Sequence, residues 1–353
     1  MCPEHELEGL TVDGQHGFLN ISITPIECSV VCHTSWAKNV FQPFIGSLPK
    51  DVAKTVSISA HPYMVLSIIS AGLDAASRVM ELSSPLALAG IPIFFITTYY
   101  SDFILVPAKE KHNVVETLLH KGFELSENQT NFFNPAAYSH RRNSSNSSTR
   151  NVPSPLDSAP PSTVGELEKR TFDLLRKRQA KFITEPELHL VQCSGREVSQ
   201  MSDMVFNHRP SNSWSVNGAA PRRRLWLDNV DAKLYTCIVS ALISKPRFMS
   251  VTLAQEDPPS LLIDKTLLPI FGDSLVGDIE GKLIPIFLDL VNLPLEVTGI
   301  VCGVAGRLVQ DMQPTEMSEL SYLSTARAGA VILPEEQSRK ALQILEPLLQ
   351  MEL

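Results

Sequence analysis

The chain alternates short runs rich in Val, Ile, Phe and Tyr with longer stretches whose apolar residues recur at helical spacing, and it does so twice in the same order. In the first half Tyr63–Ser70 reads as a strand, Leu73–Ala89 as a helix, Ile91–Tyr99 with Asp102–Pro107 as a hairpin, and His112–Gly122 as a closing helix. In the second half Lys282–Leu290 is the strand, Thr298–Gln310 the helix, Glu319–Leu333 the hairpin and Glu335–Met351 the closing helix. A weaker hairpin precedes each set, Phe18–Thr24 with Glu27–His33 and Phe248–Ala254 with Ser260–Asp264. Phe18 and Phe248 stand 230 positions apart, and the strong hairpins beginning at Phe94 and Ser321 stand 227 apart. Two near-equal offsets point to tandem duplication of a two-module unit.

A βαββαβ module lays two helices on one face of a four-stranded antiparallel sheet. The pattern therefore predicts an α+β protein of four tandem ferredoxin-like modules in two pairs, the first lacking its opening strand and helix. The expected boundaries are 15–62 for the partial first module, 63–126 for the second, 224–281 for the third and 282–353 for the fourth. Leu225-Trp226-Leu227 is the expected first strand of the third. Segments 127–163 and 194–223, rich in Ser, Asn and Pro, bury too little apolar surface to offset their ordering entropy and read as flexible linkers. Between them 164–193 carries a helical stripe of Val164, Leu167, Thr171, Leu174 and Leu175, then the strand-like Glu187–Cys193. This segment is expected to dock on a folded half and to cover the edge left by the incomplete first module.

Composition narrows the function. With 353 residues, 44% apolar and 19% charged, there is ample material for a core, and a net charge of −8 argues against nucleic-acid binding. Six cysteines without a disulfide framework, and an N-terminus lacking signal-peptide regions, predict a cytoplasmic protein. The apolar windows Pro85–Thr98 and Leu283–Leu308 are respectively short and interrupted by acids and prolines, so no membrane span is expected. Nucleophile-elbow, P-loop and His-Glu-x-x-His signatures are absent, which predicts a non-enzymatic protein with no catalytic residue and no cofactor. Cys28-x-x-x-Cys32-His33 lacks a second pair at zinc spacing; the two thiols are read as core residues of a strand, and no metal is expected. Arg141-Arg142-Asn143-Ser144 and Ser154-Pro155 offer kinase-type sites, and Asn128 and Asn143 begin sequons that composition alone accounts for.

Ile93-Phe94-Phe95-Ile96-Thr97-Thr98-Tyr99-Tyr100-Ser101-Asp102-Phe103-Ile104-Leu105-Val106 resembles the second ACT module of the CASTOR-like cytosolic arginine sensors, and more distantly the regulatory ACT modules of aspartate kinases. Phe18–Val31 resembles the hairpin of that family's first module, and Leu295–Val301 with Val304–Leu308 the opening of its fourth. The resemblance covers both folded halves. It implies four ACT modules, a free amino acid bound between modules two and four, and a loaded or empty state read by a regulatory complex in TOR nutrient signalling. It also implies a ligand site of Ile91, Pro92 and Ile93, of Leu295, Glu296, Val297, Thr298 and Gly299, and of Thr325, Ala326 and Gly329. Pro92 replaces a serine of that pattern, Val297 an acid that holds the ligand amine, and Gly329 the aspartate that pairs with the guanidinium. Glu296, one place away, could take over the amine, while Arg327 would repel a cation. A neutral or acidic amino acid, or no ligand, fits this set better than arginine.

Two readings of the run Gly299-x-x-x-Gly303-x-x-Gly306 are open. The glycines let backbone donors approach a ligand, or they let a helix pack closely. Two functions follow: an amino-acid sensor that relays occupancy to a protein partner, or a ligand-free ACT-domain adaptor. Monomer and homodimer both remain open.

Overall fold

The computed structural model describes residues 17–68, 75–123, 161–196, 232–254, 257–312 and 320–350. The repeated hairpins share one form of turn. Thr98 closes one hairpin with its N–H (2.9 Å) and Oγ1 (2.6 Å) both donating to the Ser101 carbonyl. Thr325 does the same to Ala328 at 2.8 and 3.2 Å, and Thr24 to Glu27 at 2.9 and 3.0 Å. A threonine at the first turn position satisfies the orphan carbonyl twice, so the turn tolerates any residue between.

Strands β1 (Phe18–Ile23) and β2 (Cys28–Val31) are followed by short helical turns over Thr34–Ala53. The next unit runs β3 (Tyr63–Ile68), α1 (Ala75–Leu88), β4 (Phe94–Thr97), β5 (Asp102–Pro107) and α2 (Lys111–His120). Then come α3 (Val164–Lys177), β6 (Lys181–Thr184), β7 (Leu190–Gly195), α4 (Ala232–Ile243), β8 (Met249–Ala254), β9 (Ser260–Asp264) and β10 (Leu275–Gly277). The last unit is β11 (Leu283–Asp289), α5 (Ile300–Asp311), β12 (Ser321–Ser324), β13 (Ala328–Pro334) and α6 (Glu335–Gln350).

Among the described residues these strands form one antiparallel sheet in the order β2-β1-β8-β9-β7-β11-β13-β12-β4-β5-β3, with β10 also on β7 and β6 on β11. Within it β10-β7-β9-β8 is a complete ferredoxin-like order, and β11-β13-β12 and β3-β5-β4 repeat its first three strands. Buried Phe248 meets Phe287 at 5.9 Å between ring centroids and Phe18 meets Phe103 at 4.9 Å. The sheet thus folds back so that its two halves share an apolar layer that also holds Leu188, Leu262, Leu323 and Ile332. The helices cover the outer faces, where Leu82, Leu86, Leu175, Val304 and Leu345 fill the larger core.

The segment ahead of the third module behaves differently from the expectation. Strand β7 does not cover the edge at β1 and β2: its residues Leu190–Ser194 pair with β9, and Leu190 pairs with Leu283 of β11. It is the central strand of its unit, taking the place expected of Leu225–Leu227, which lie outside the described residues. Five of its six residues are buried, which favours a central position over an edge. Strand β6 completes β11 through Ile286↔Thr184 to Asp289↔Lys181, and α3 packs on α5, α1 and α6. Among the described residues strand β2 therefore keeps a free edge. Its Cys28 is exposed, and Cys32 just beyond it is half-buried, so the expectation of core thiols fails. Ser194 and Gly195, expected to open a flexible linker, end β7 instead; most of both linkers, the sequons and the kinase-type serines lie outside the described residues.

Candidate functional site

Helix α5 begins without a side-chain cap. Its N-cap is Gly299 at a φ of +87°, and the first intrahelical bond runs from the Gly303 N–H to the Gly299 carbonyl at 2.7 Å. The N–H groups of Ile300, Val301 and Cys302 therefore have no helical acceptor, and the positive end of the helix dipole lies there. All three residues line a cavity of about 40 Å³, room for about three waters. Its walls come from the loop after β11, from β12, β13 and their turn, and from α1 and β4 of the other unit.

The cavity gathers seven of the eleven expected residues: Ile93, Leu295, Val297, Gly299, Thr325, Ala326 and Gly329. Ile91, Pro92, Glu296 and Thr298 are not in the lining. Ile91 is buried in the core beneath it. Glu296 is exposed and does not replace the missing acid; its charge, after burial, helps push the Tyr63 hydroxyl upward. A loop that reverses into a helix cannot point consecutive side chains at one cavity. Arg327 is exposed at the tip of the β12–β13 turn, where its backbone N–H donates to Glu27 Oε1 at 2.5 Å.

Sequence reasoning missed Ser83 and Ala87 of α1, and Phe94, Cys302, Tyr322 and Ser324. Ser83 is fully buried and its Oγ has no hydrogen-bond partner among oxygens and nitrogens. It faces the Cys302 thiol, too weak a partner to satisfy it. Burial, helped by Glu168, pushes that thiol up to about 11, against the opposing pull of Ser83. Tyr322 is buried, which raises its phenol, and its Oη lies 2.9 Å from where a Gly329 side chain would start. The volume that an aspartate would fill at 329 is thus occupied by an aromatic hydroxyl. Periodicity offered no signal for Ser83, since a small polar residue on a helix is ordinarily a surface one.

The glycine run serves helix packing as well. A Cβ on Gly299 would meet Leu167 Cδ1 at 2.7 Å, and one on Gly303 would meet Thr171 Cγ2 at 2.9 Å, both on α3. Thr171 Oγ1 donates to the Leu167 carbonyl at 2.9 Å and reaches the Gly299 carbonyl at 3.3 Å. Replacing Gly299 would strain the fold as well as the cavity.

Residues 58–120 match the family model of the ACT domain. The chain carries an ACT domain. That match spans β3 to α2 and so contains Ser83, Ala87, Ile93 and Phe94 of the cavity wall. Among solved structures, the crystal structure of aspartate kinase from Synechocystis overlaps with a TM-score of 0.30 at 10% identity, over 99% of this chain and 52% of that one. The chain spans about half the length of that kinase. No curated protein matches. ACT domains are in general regulatory modules that bind amino acids, and the mixed α/β architecture with an antiparallel sheet is theirs. Among the described residues no cluster of three or more His, Cys, Asp or Glu could hold a metal, and no helix is long and apolar enough to cross a membrane.

Proposed function

We propose that this protein is a non-enzymatic cytosolic sensor of a free amino acid, built of four ACT modules in two pairs, that relays occupancy to a protein partner as the CASTOR-like sensors do in TOR nutrient signalling. The observation that carries the reading is the uncapped start of α5 opening into a cavity whose walls come from two units. A ligand there touches both, so its binding favours the arrangement in which they are closed, by its differential affinity for that arrangement. The partner reads the closed state.

The test is thermal melting of the purified protein against each free amino acid. A ligand at 100-fold over its dissociation constant adds about 2.7 kcal/mol, a readily measured shift. Absence of a shift with every amino acid would reject the sensor. The rival reading, a ligand-free adaptor, draws on the small cavity and on Tyr322 standing over Gly329. It expects the same flat result together with partner binding that no amino acid alters.

A further inference from the structure

The cavity's lining has polar and apolar members, and the two specify different parts of a ligand. The polar members include the first turn of α5, a helix of 12 residues, and Ser83, whose buried Oγ has no oxygen or nitrogen partner. Donors without acceptors in a buried place match a carboxylate, whose oxygens accept several hydrogen bonds at once. The apolar members include Leu290, Leu293, Leu295 and Val297.

No residue of the lining carries a formal charge. A guanidinium, ammonium or second carboxylate on the ligand side chain would lose its water without gaining a counter-charge, which is strongly unfavourable. Tyr322 over Gly329 also shortens the space on the side of the hairpin. For an α-ammonium the lining offers neutral acceptors, among them the hydroxyls of Ser324 and Thr325.

Resting on the sensor reading above and narrowing its ligand, we propose that the cavity takes a compact aliphatic carboxylate, a short branched α-amino acid or the matching 2-oxo acid, with its carboxylate against Ser83 and the first turn of α5. The hydrocarbon tail lies among Leu290, Leu293, Leu295 and Val297.

Titration calorimetry on the full chain tests this with L-valine, L-leucine and L-isoleucine, their 2-oxo acids, and L-arginine, L-lysine and L-glutamate. Aliphatic ligands should bind, and the charged ones about 100-fold more weakly or not at all. Binding by the amino acids supports the proposal, whereas binding by the oxo acids alone supports the carboxylate placement and overturns the amino-acid sensor. Ser83→Ala should weaken binding about tenfold while raising the melting temperature of the free protein, because it deletes a buried hydroxyl with no partner. A packing role for Ser83 would not produce that opposition. Unchanged affinity in Ser83→Ala overturns the placement of the carboxylate. Tightest binding by arginine, lysine or glutamate overturns the ligand class and leaves the sensor standing. Silence from the whole panel overturns this ligand class, and the sensor falls with it only if melting against every amino acid is also flat.

Discussion

Among the strand junctions that join the units side by side, β1 with β8 and β4 with β12 are built in opposite ways. Between β1 and β8 six residue pairs run unbroken from Phe18↔Ala254 to Ile23↔Met249. Buried polar side chains seal that ladder: Asn20 Nδ2 donates to Ser250 Oγ at 3.2 Å and Thr252 Oγ1 at 3.0 Å, and Ser22 and Ser250 hydroxyls meet at 2.9 Å. Between β4 and β12 a single pair remains, Leu323↔Ile96. Here side chains replace the ladder. Ser324 Oγ accepts from the Phe95 N–H and Thr97 Oγ1 from the Tyr322 N–H, each at 3.0 Å, a reciprocal arrangement in which the two acceptors, like the two donors, stand 227 positions apart. The interrupted junction borders the cavity, which Tyr322 and Ser324 line. Strands held apart by hydroxyls leave room that a continuous ladder closes.

The helices differ in the same sense. Helix α5 is covered by α1, α3 and α6 and buries seven of its twelve residues. Helix α4 presents Val239 (54% exposed) and Ile243 (73% exposed) to solvent. The unit of β1 and β2 shows no helix among the described residues that lies on α4 as α1 lies on α5.

The sharpest way to break this comparison is to place a carboxylate on each helix. Val304→Asp on α5 should cost about 4 kcal/mol or more in urea unfolding, and Val239→Asp on α4 should stay within about 0.5 kcal/mol. Equal losses would mean that α4 is covered in solution. At the continuous junction Asn20→Leu takes one hydrogen-bond partner each from Ser22, Ser250 and Thr252 and should cost about 2 kcal/mol. At the interrupted one Thr97→Val orphans the Tyr322 N–H and should cost about 1 kcal/mol, with faster amide exchange at Tyr322 as its signature.

The smallest effect is a pH slope. Asp102, at the start of β5, is raised above the ordinary carboxylate range by burial, opposed by its 2.7 Å bond from Arg78 and by Thr97. The native state then holds that proton more tightly than the unfolded chain. Its contribution is full below the unfolded value, about 3.9, and is lost as pH rises through the folded one. Asp102→Asn should flatten that part of the stability profile. A slope that steepens instead would place Arg78, not burial, in control of the group.

Much of the fold was legible because the repeat lies in local chemistry. The Thr turns, the β-branched runs and the helical stripes are satisfied within a few residues, so the bounds of β5 and β9 and the start of α6 agree with expectation. Strand β7 was assigned to a docking segment because its run of apolar residues says only that both faces are buried, not which strands lie beside it. The site divided in the same way. Gly299, Thr325 and Gly329 sit at a helix start and a hairpin, which sequence locates. Ser83 and Tyr322 enter from the middle of elements whose neighbours lie far along the chain.

By itself, then, the amino-acid sequence determined the elements, their repetition and the turns that close them, since those depend on contacts between near neighbours. Tertiary structure alone decided which strand completes which unit, that Glu296 turns outward and that Tyr322 takes the place of an acid at 329. It also left the Ser83 hydroxyl buried at the cavity with no oxygen or nitrogen partner. Those outcomes depend on how side chains of different elements meet, in the case of Ser83 and Cys302 across more than 200 residues of chain, and no local propensity encodes them.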